Sequence, residues 1–335
     1  MMRIMGRRRA LVGVLAGSLL LAGCNAGPGQ VGAAVIVDGR TVSVDRVQQL
    51  IDKAVREHPY GQQLAKEHKL DLVGREIVRQ EILHVLTKRA AQREGIGVDE
   101  SLVVNALRND PLAKPMEANP QDDPELSVEQ LVARVRDHRE ALIDAALQTQ
   151  LAMKYLDKLS VTFDFSSVSS TDATGADSDK LREQAIEKAR RFAASPNAAA
   201  ELIAQDQQTS DTQAGTGQKL PAMQSPATAA TVLFGLQPNT VAAFKPTPQQ
   251  PLWVVVVMRE RTADKPVASD QAAQPTAQQL AKIGVRLLQP DLGQVDLKVN
   301  PRYGVWDVVE MDLAPNEASK KGIVLPVHGA APQNP

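Results

Sequence analysis

The spacing of apolar positions changes several times along the chain, and each change marks an element. Ala33-Ala34-Val35-Ile36-Val37 is an unbroken apolar run that predicts a strand, and Asp38-Gly39 behind it predicts a tight turn. From Ser43, a residue suited to capping, Val44, Val47, Leu50, Ile51, Ala54 and Val55 recur on one helical face to about His58. Pro59-Tyr60-Gly61 then reads as a break. A second helix is predicted over Asp71–Arg93, carrying Leu72, Val73, Ile77, Ile82, Leu83, Leu86 and Ala90, with Glu94-Gly95-Ile96-Gly97 as its stop. A shorter helix follows over Val98–Arg108, then a Pro-rich loop over Asp110–Pro124. The longest pattern starts at Ser127, where Gln130 three residues on suggests a capping box. Its stripe runs through Leu131, Val132, Val135, Leu142, Ile143, Ala146, Leu147, Leu151, Met153 and Leu156 to Leu159 without Gly or Pro, which predicts one strut helix about 50 Å long.

Beyond the strut the period shortens. Val161-Thr162-Phe163-Asp164-Phe165 alternates as a strand does, and Ser166–Ser178 has linker composition. Helices are predicted at Asp179–Ala194 and Asn197–Ala204. Thr262–Gln279 is a Pro/Ala/Gln-rich linker. Leu280–Leu288 fits a short helix or an extended segment, Val295–Val299 alternates as a strand, and the Ala/Pro/Lys-rich residues after about Leu313 read as disordered.

Composition adjusts this picture in a few places. A hydrophobic share of 43% supports a sizeable core, and 3% aromatics means that Leu, Val, Ile and Ala must build it. A net charge of −1 gives no reason to expect nucleic acid as a partner. The chain opens with Arg3 and Arg7-Arg8-Arg9, then an apolar run Ala10–Leu21 that is too short to span a bilayer, an arrangement expected of an export signal. Removing those four arginines would leave about −5. The run ends in Leu21-Ala22-Gly23-Cys24, which resembles the bacterial lipobox and holds the chain's single cysteine. The resemblance implies cleavage before Cys24, lipidation of its thiol and stable anchoring on the extracytoplasmic face of the cell membrane. A solitary cysteine also excludes a disulfide framework.

The strand, the Asp38-Gly39 turn, Val42-Ser43-Val44-Asp45 opening a helix, and the step from Ile77–Leu83 to Ala91–Ile96 resemble the N-terminal domain of SurA-type chaperones and PrsA-type foldase lipoproteins. Asn300-Pro301-Arg302-Tyr303-Gly304-Val305-Trp306-Asp307 closely resembles a C-terminal signature of SurA-like lipoproteins. That signature implies a segment returning to pair with Ala33–Val37, with Tyr303 and Trp306 packed on the N-terminal helices; the alternative is an exposed ligand-binding pair. Between the two lies the place of a parvulin domain. Ala214-Gly215-Thr216-Gly217 stands where that family has a Gly-Gly loop, and Leu236–Val241 resembles its turn into a strand, with Asn239 in place of Gly. The resemblance implies the domain's third helix at Ala229–Leu236 and its terminal strand at Leu252–Met258. The parvulin active site needs two His and a Cys or Asp. None of His58, His68, His84, His138 and His328 lies between Val161 and Arg261, and the last strand reads Pro251-Leu252-Trp253 where Gly-x-His is expected. Asp206 and Asp211 read as solvated loop carboxylates, and His84 and His138 as partly exposed helix residues. No HExxH or CxxC pattern occurs, so neither a metal nor another cofactor is expected.

The reading is an α+β protein: signal 1–23, lipidated tether 24–32, helical chaperone-like domain 33–160, degenerate parvulin-like domain 161–262, linker 263–279, closing segment 280–312 and disordered tail 313–335. Its expected function is ATP-independent binding of unfolded or secreted polypeptides at the membrane, without catalysis. A residual prolyl isomerase and an envelope scaffold holding one partner are the alternatives.

Overall fold

The computed structural model describes residues 32–119, 124–169, 178–209, 212–247, 250–267 and 273–330, in an α+β architecture. The lipobox residues Leu21, Ala22, Gly23 and Cys24 lie outside them. Strand β1 (Ala33–Val37) turns through Asp38 and Gly39, both at positive φ, into β2 (Arg40–Ser43). Ser43 caps α1 (Val44–Glu57), its side chain accepting from the Arg46 amide. Pro59 does not break the chain as expected. It takes the first position of a further helix, α2 (Pro59–Lys66), where its missing N–H has no partner to lose. Gly61 lets α2 close on α1, since a Cβ there would lie 2.2 Å from the Ala54 carbonyl oxygen. Helix α3 (Leu70–Glu94) is the long central helix and ends on Gly95 in the left-handed conformation; α4 (Glu100–Arg108) follows behind the cap Asp99.

The expected strut is two helices, α5 (Pro124–Val135) and α6 (His138–Tyr155). Asp137 adopts an extended backbone between them and its side chain accepts from the Glu140 amide, so it caps α6. Asp-x-x-Glu within the apolar stripe carried that signal, but the periodicity runs through it. Ser127, expected as the N-cap, lies inside α5 and is buried.

The middle of the chain builds a sheet. Strand β3 (Ser160–Ser169) runs well past Phe165 into the expected linker, and α7 (Ser178–Ala193) and α8 (Ala198–Asp206) follow. The Ala214–Gly217 stretch belongs to a strand, β4 (Ala214–Pro221), rather than to a loop. The expected helix over Ala229–Leu236 is a short α9 (Pro226–Ala229) and a 3-10 turn over Val232–Gly235, divided at Thr231, whose backbone is extended. Asn239 takes φ 61, as the position expected to be a glycine requires, and opens β5 (Thr240–Phe244), followed by β6 (Leu252–Thr262).

The last part returns to the helices. Helix α10 (Ala277–Leu287), opened by a Thr276–Gln279 capping box, packs on α6, and Gly284 sits so close that a Cβ would lie 2.1 Å from the Gln148 carbonyl oxygen. Strand β7 (Leu297–Val299) pairs antiparallel with β1, Val35 opposite Val299, giving the sheet β2-β1-β7. The expected return of the chain to Ala33–Val37 is thus present. Strands β8 (Val305–Asp307) and β9 (Asp312–Ala314) form a hairpin against α3. Residues 313–330 are ordered rather than a disordered tail. Gly322–Pro326 forms β10, an aliphatic strand that neighbouring Ala, Pro and Lys conceal in the composition.

The larger sheet runs β10-β5-β6-β3-β4. Two cores flank it. On one face Leu181, Ala185, Ala189 and Phe192 of α7 and Ile203 of α8 meet Val241, Trp253, Val255 and Val257. The other face, with Ala242, Phe244, Val256 and Met258, joins the core of the helical region, including Ile77, Ile82, Leu131, Leu151 and Ile283. Buried Arg286 on α10 ties these parts together, donating to the carbonyls of Ala230 and Val308 and to Gln289; burial pushes it down to about 10.

Candidate functional site

The C-terminal signature serves as a clamp. The Asn300 amide donates to Ala34 O at 2.9 Å and its side-chain amide to Ala33 O at 2.8 Å, extending the β1–β7 pairing by one residue. Pro301 and Arg302 are exposed, and the Arg302 guanidinium lies 5.9 Å from the Tyr303 ring centre. Tyr303 is buried in the groove between α1 and α3, with its ring over Gly74 and close to Ile51, rather than offered to solvent. Gly304 has φ 101, and a Cβ there would lie 2.1 Å from the Ala314 carbonyl oxygen, so this position accepts only glycine. Trp306 packs half-buried on the helical core. Asp307 is buried and accepts from the amides of Val309 at 2.9 Å and Lys321 at 2.6 Å, which joins the clamp to the start of β10.

In the sheet region the polar groups are committed to structure. Buried Asp164 accepts from both Arg259 Nε and Nη2, at 2.7 and 2.6 Å, and from the Gly217 amide. Asp206 is not a solvated carboxylate: Lys188 pairs with it at 2.7 Å, and Ser166 Oγ donates to it at 2.7 Å. Lys188 Nζ also donates to Ser166 Oγ at 2.8 Å. A hydroxyl between an amine and a carboxylate is a pattern that nucleophilic catalysis uses. Ser166 is fully buried, however, and the three side chains tie β3 to the helices α7 and α8 that cover it. Asp211 lies outside the described residues.

A second polar cluster sits inside the helical region. His84 is not a partly exposed helix residue; it is 1% exposed, because the partners that enclose it come from α6, far along the chain. Its Nδ1 bonds both Asp144 oxygens at 2.8 and 3.0 Å, and its Nε2 lies 3.4 Å from Glu140 Oε2. Arg136, at the α5–α6 junction, donates from Nη2 to Glu140 at 2.9 Å and Asp144 at 2.8 Å, and from Nη1 to Gln80. His84, Glu140 and Asp144 offer ligand atoms within 4.8 Å of one another, a spacing suited to a divalent ion. The guanidinium already bridges both carboxylates and is itself buried, so it is the cation that this geometry selects. The cluster continues through Gln80 to Glu76, whose carboxyl burial pushes up to about 7, and to Arg79, which donates to Met311 O of the C-terminal hairpin. His138 is partly exposed, as expected, between Asp110 and the Arg134 carbonyl.

Apolar surface open to solvent collects beside α6. A cleft of about 330 Å³ is lined by Met153, Leu156, Asp157, Met223, Gln274, Pro275 and Leu280, where α6, the segment after β4 and the start of α10 meet. Its walls are tied by Val267 N donating to Asp157 O and Ala273 N to Met223 O. Met153 is 63% exposed at its rim; on α4, which also packs on α6, Leu102 is 64% exposed. Sequence reasoning missed this cleft because its residues come from separate segments. No helix among the described residues is long and apolar enough to cross a membrane. No known protein family matches the chain, and no curated protein matches it.

Proposed function

We propose that this chain is a lipid-anchored, ATP-independent holdase of the SurA-like class, which binds non-native polypeptides on the extracytoplasmic face of a membrane and catalyses nothing. The observation that carries the reading is the apolar, methionine-bearing cleft beside α6, set where the helical region meets the sheet region. Methionine side chains adapt to many partners, and an open apolar groove suits extended segments of varied sequence. The clamp from Asn300 to Asp307 supports the SurA-like assignment, because it holds the two ends of the helical region together through β1 and β7. The order β4-β3-β6-β5, with two helices following β3, supports a parvulin-derived origin for residues 160–262. Within residues 160–262 Asp164 is engaged by Arg259 and Asp206 by Lys188, and the sequence contributes no histidine, which favours binding over isomerisation.

The test is a pair of assays on the purified chain. Aggregation of a chemically unfolded enzyme should be suppressed at near-stoichiometric ratios without ATP. Cis–trans exchange of an X-Pro peptide should stay at its uncatalysed rate. No suppression would remove the holdase reading, and catalysed exchange would promote the isomerase.

A further inference from the structure

We propose that β10 is an exchangeable strand: residues 322–326 cover, in cis, an edge of the sheet that pairs with an extended apolar segment of a client when they leave. The inference rests on the client-binding function proposed above and names where a client would add. Residues 160–262 build four strands by themselves, with β5 outermost, and β10 arrives from elsewhere in the chain to cover it in antiparallel register from Gly322 opposite Phe244 to Pro326 opposite Thr240.

The resident strand shows what this edge accepts. Gly322 stands where a Cβ would lie 2.1 Å from the Ala243 carbonyl oxygen. Ile323, Val324 and Leu325 then alternate between the faces of the sheet, the first and third against the core under α7, and Pro326 ends the pairing. Opposite them Ala242 and Ala243 are small and leave room for large aliphatic side chains. Unfolded polypeptides expose short aliphatic runs, and strand addition reads such a run through main-chain hydrogen bonds. The strand is less deeply buried than the edge it covers. Its three aliphatic residues are partly buried, whereas Val241–Phe244 are buried. It is clasped at its two ends, by Asp307 on the Lys321 amide with Arg182 on the Lys320 carbonyl, and by Val327 N on Asn239 O with His328 N on Ala193 O. The opposite edge is a poorer acceptor: β4 carries Gly217 at φ 61, an exposed Lys219 and a register shift against β3, features that turn away an added strand.

The test locks the strand. In a chain carrying Cys24→Ser, the changes Ala243→Cys and Ile323→Cys place the only two thiols at directly opposed positions, a separation that a disulfide spans. The probe is fluorescently labelled, reduced and carboxymethylated α-lactalbumin, which stays unfolded. The oxidised protein should bind it about tenfold more weakly than the same protein after reduction, while Cys24→Ser alone should ignore reductant. Equal binding in the two redox states overturns the proposal. Hydrogen exchange on the unsubstituted chain gives an independent answer: bound probe should strip protection from the amides of 322–325 and leave those of 254–258 unchanged. Retained protection across β10 overturns the proposal and places the client elsewhere, the cleft beside α6 included. Failure of the unsubstituted chain to bind the probe at all overturns the client-binding function itself, and is seen before any thiol is introduced.

Discussion

Replacing Arg136 by Met should cost the protein about 3–5 kcal/mol, the range for removing one partner of a buried ion network. The structure explains why the value belongs at that level. Arg136 is 4% exposed and donates to Gln80, Glu140 and Asp144, and Asp144 is itself 4% exposed. Methionine keeps the apolar stem of the side chain as far as Nε, so the packing of that stem is retained. What remains is a buried carboxylate that keeps only His84 as a direct partner. Over a unit of this size the loss corresponds to a fall of about 5–8 °C in Tm. Changing Asp144 to Leu as well removes the stranded charge, and the double variant should regain a large part of the loss; a double-mutant cycle in urea measures the coupling directly. The vacated site also becomes a sharper test. With the guanidinium gone, His84, Glu140 and Asp144 present a divalent-ion geometry, so Zn²⁺ should raise the Tm of Arg136→Met and leave the unsubstituted protein unmoved. A loss under about 1 kcal/mol, or a double variant no more stable than the single one, would refute the claim that these charges are desolvated and mutually dependent.

Glu76 should make stability depend on pH. Its folded value near 7 lies above the unfolded value of 4.5, so its contribution is fully present below pH 4.5 and is lost as pH rises through 7, by at most about 3 kcal/mol; Glu76→Gln should flatten urea midpoints across that window. Gly284→Ala drives a methyl into the Gln148 carbonyl, and separating α10 from α6 should cost about 2 kcal/mol or more by thermal denaturation; an unchanged Tm would show that the two helices are not in close contact. Cys24→Ala should release the protein from the membrane fraction or leave an uncleaved precursor by mass, and retention with unchanged mass would rule out the lipid anchor.

What could be read from the chain was local chemistry. The Asp38-Gly39 turn, the Ser43 cap, the stop at Gly95 and the left-handed Asn239 are each set by a few adjacent residues, and each appears where its signal stands. The errors share a different cause. The apolar stripe is continuous across Arg136 and Asp137, and periodicity registers which face is apolar, not whether the backbone hydrogen bonds continue, so the break between α5 and α6 was hidden behind its own cap. Pro59 looks the same in sequence whether it ends one helix or begins the next. His84 gave no sign of burial, because Asp144 lies 60 positions away and only the folded chain brings them together. The cleft beside α6 and the covering of β5 by β10 are likewise products of long-range pairing, which no local pattern records.

The clamp at Asn300 has a consequence for how the chain is made. Asn300 bonds Ala33 across 267 positions, whereas β3 and β6 meet across 102 at Ser160 and Thr262. At about 5–20 residues per second, β1 waits on the order of 10–50 s of synthesis for its outer partner. During that interval the first helices have no Tyr303 in the groove over Gly74 and, until its last part, no α10 against α6, while the four inner strands are complete once Thr262 is made, before β7 exists. The inner strands can therefore pair before β1 gains β7, and for much of its own synthesis the helical region is itself a polypeptide with an unsealed apolar core.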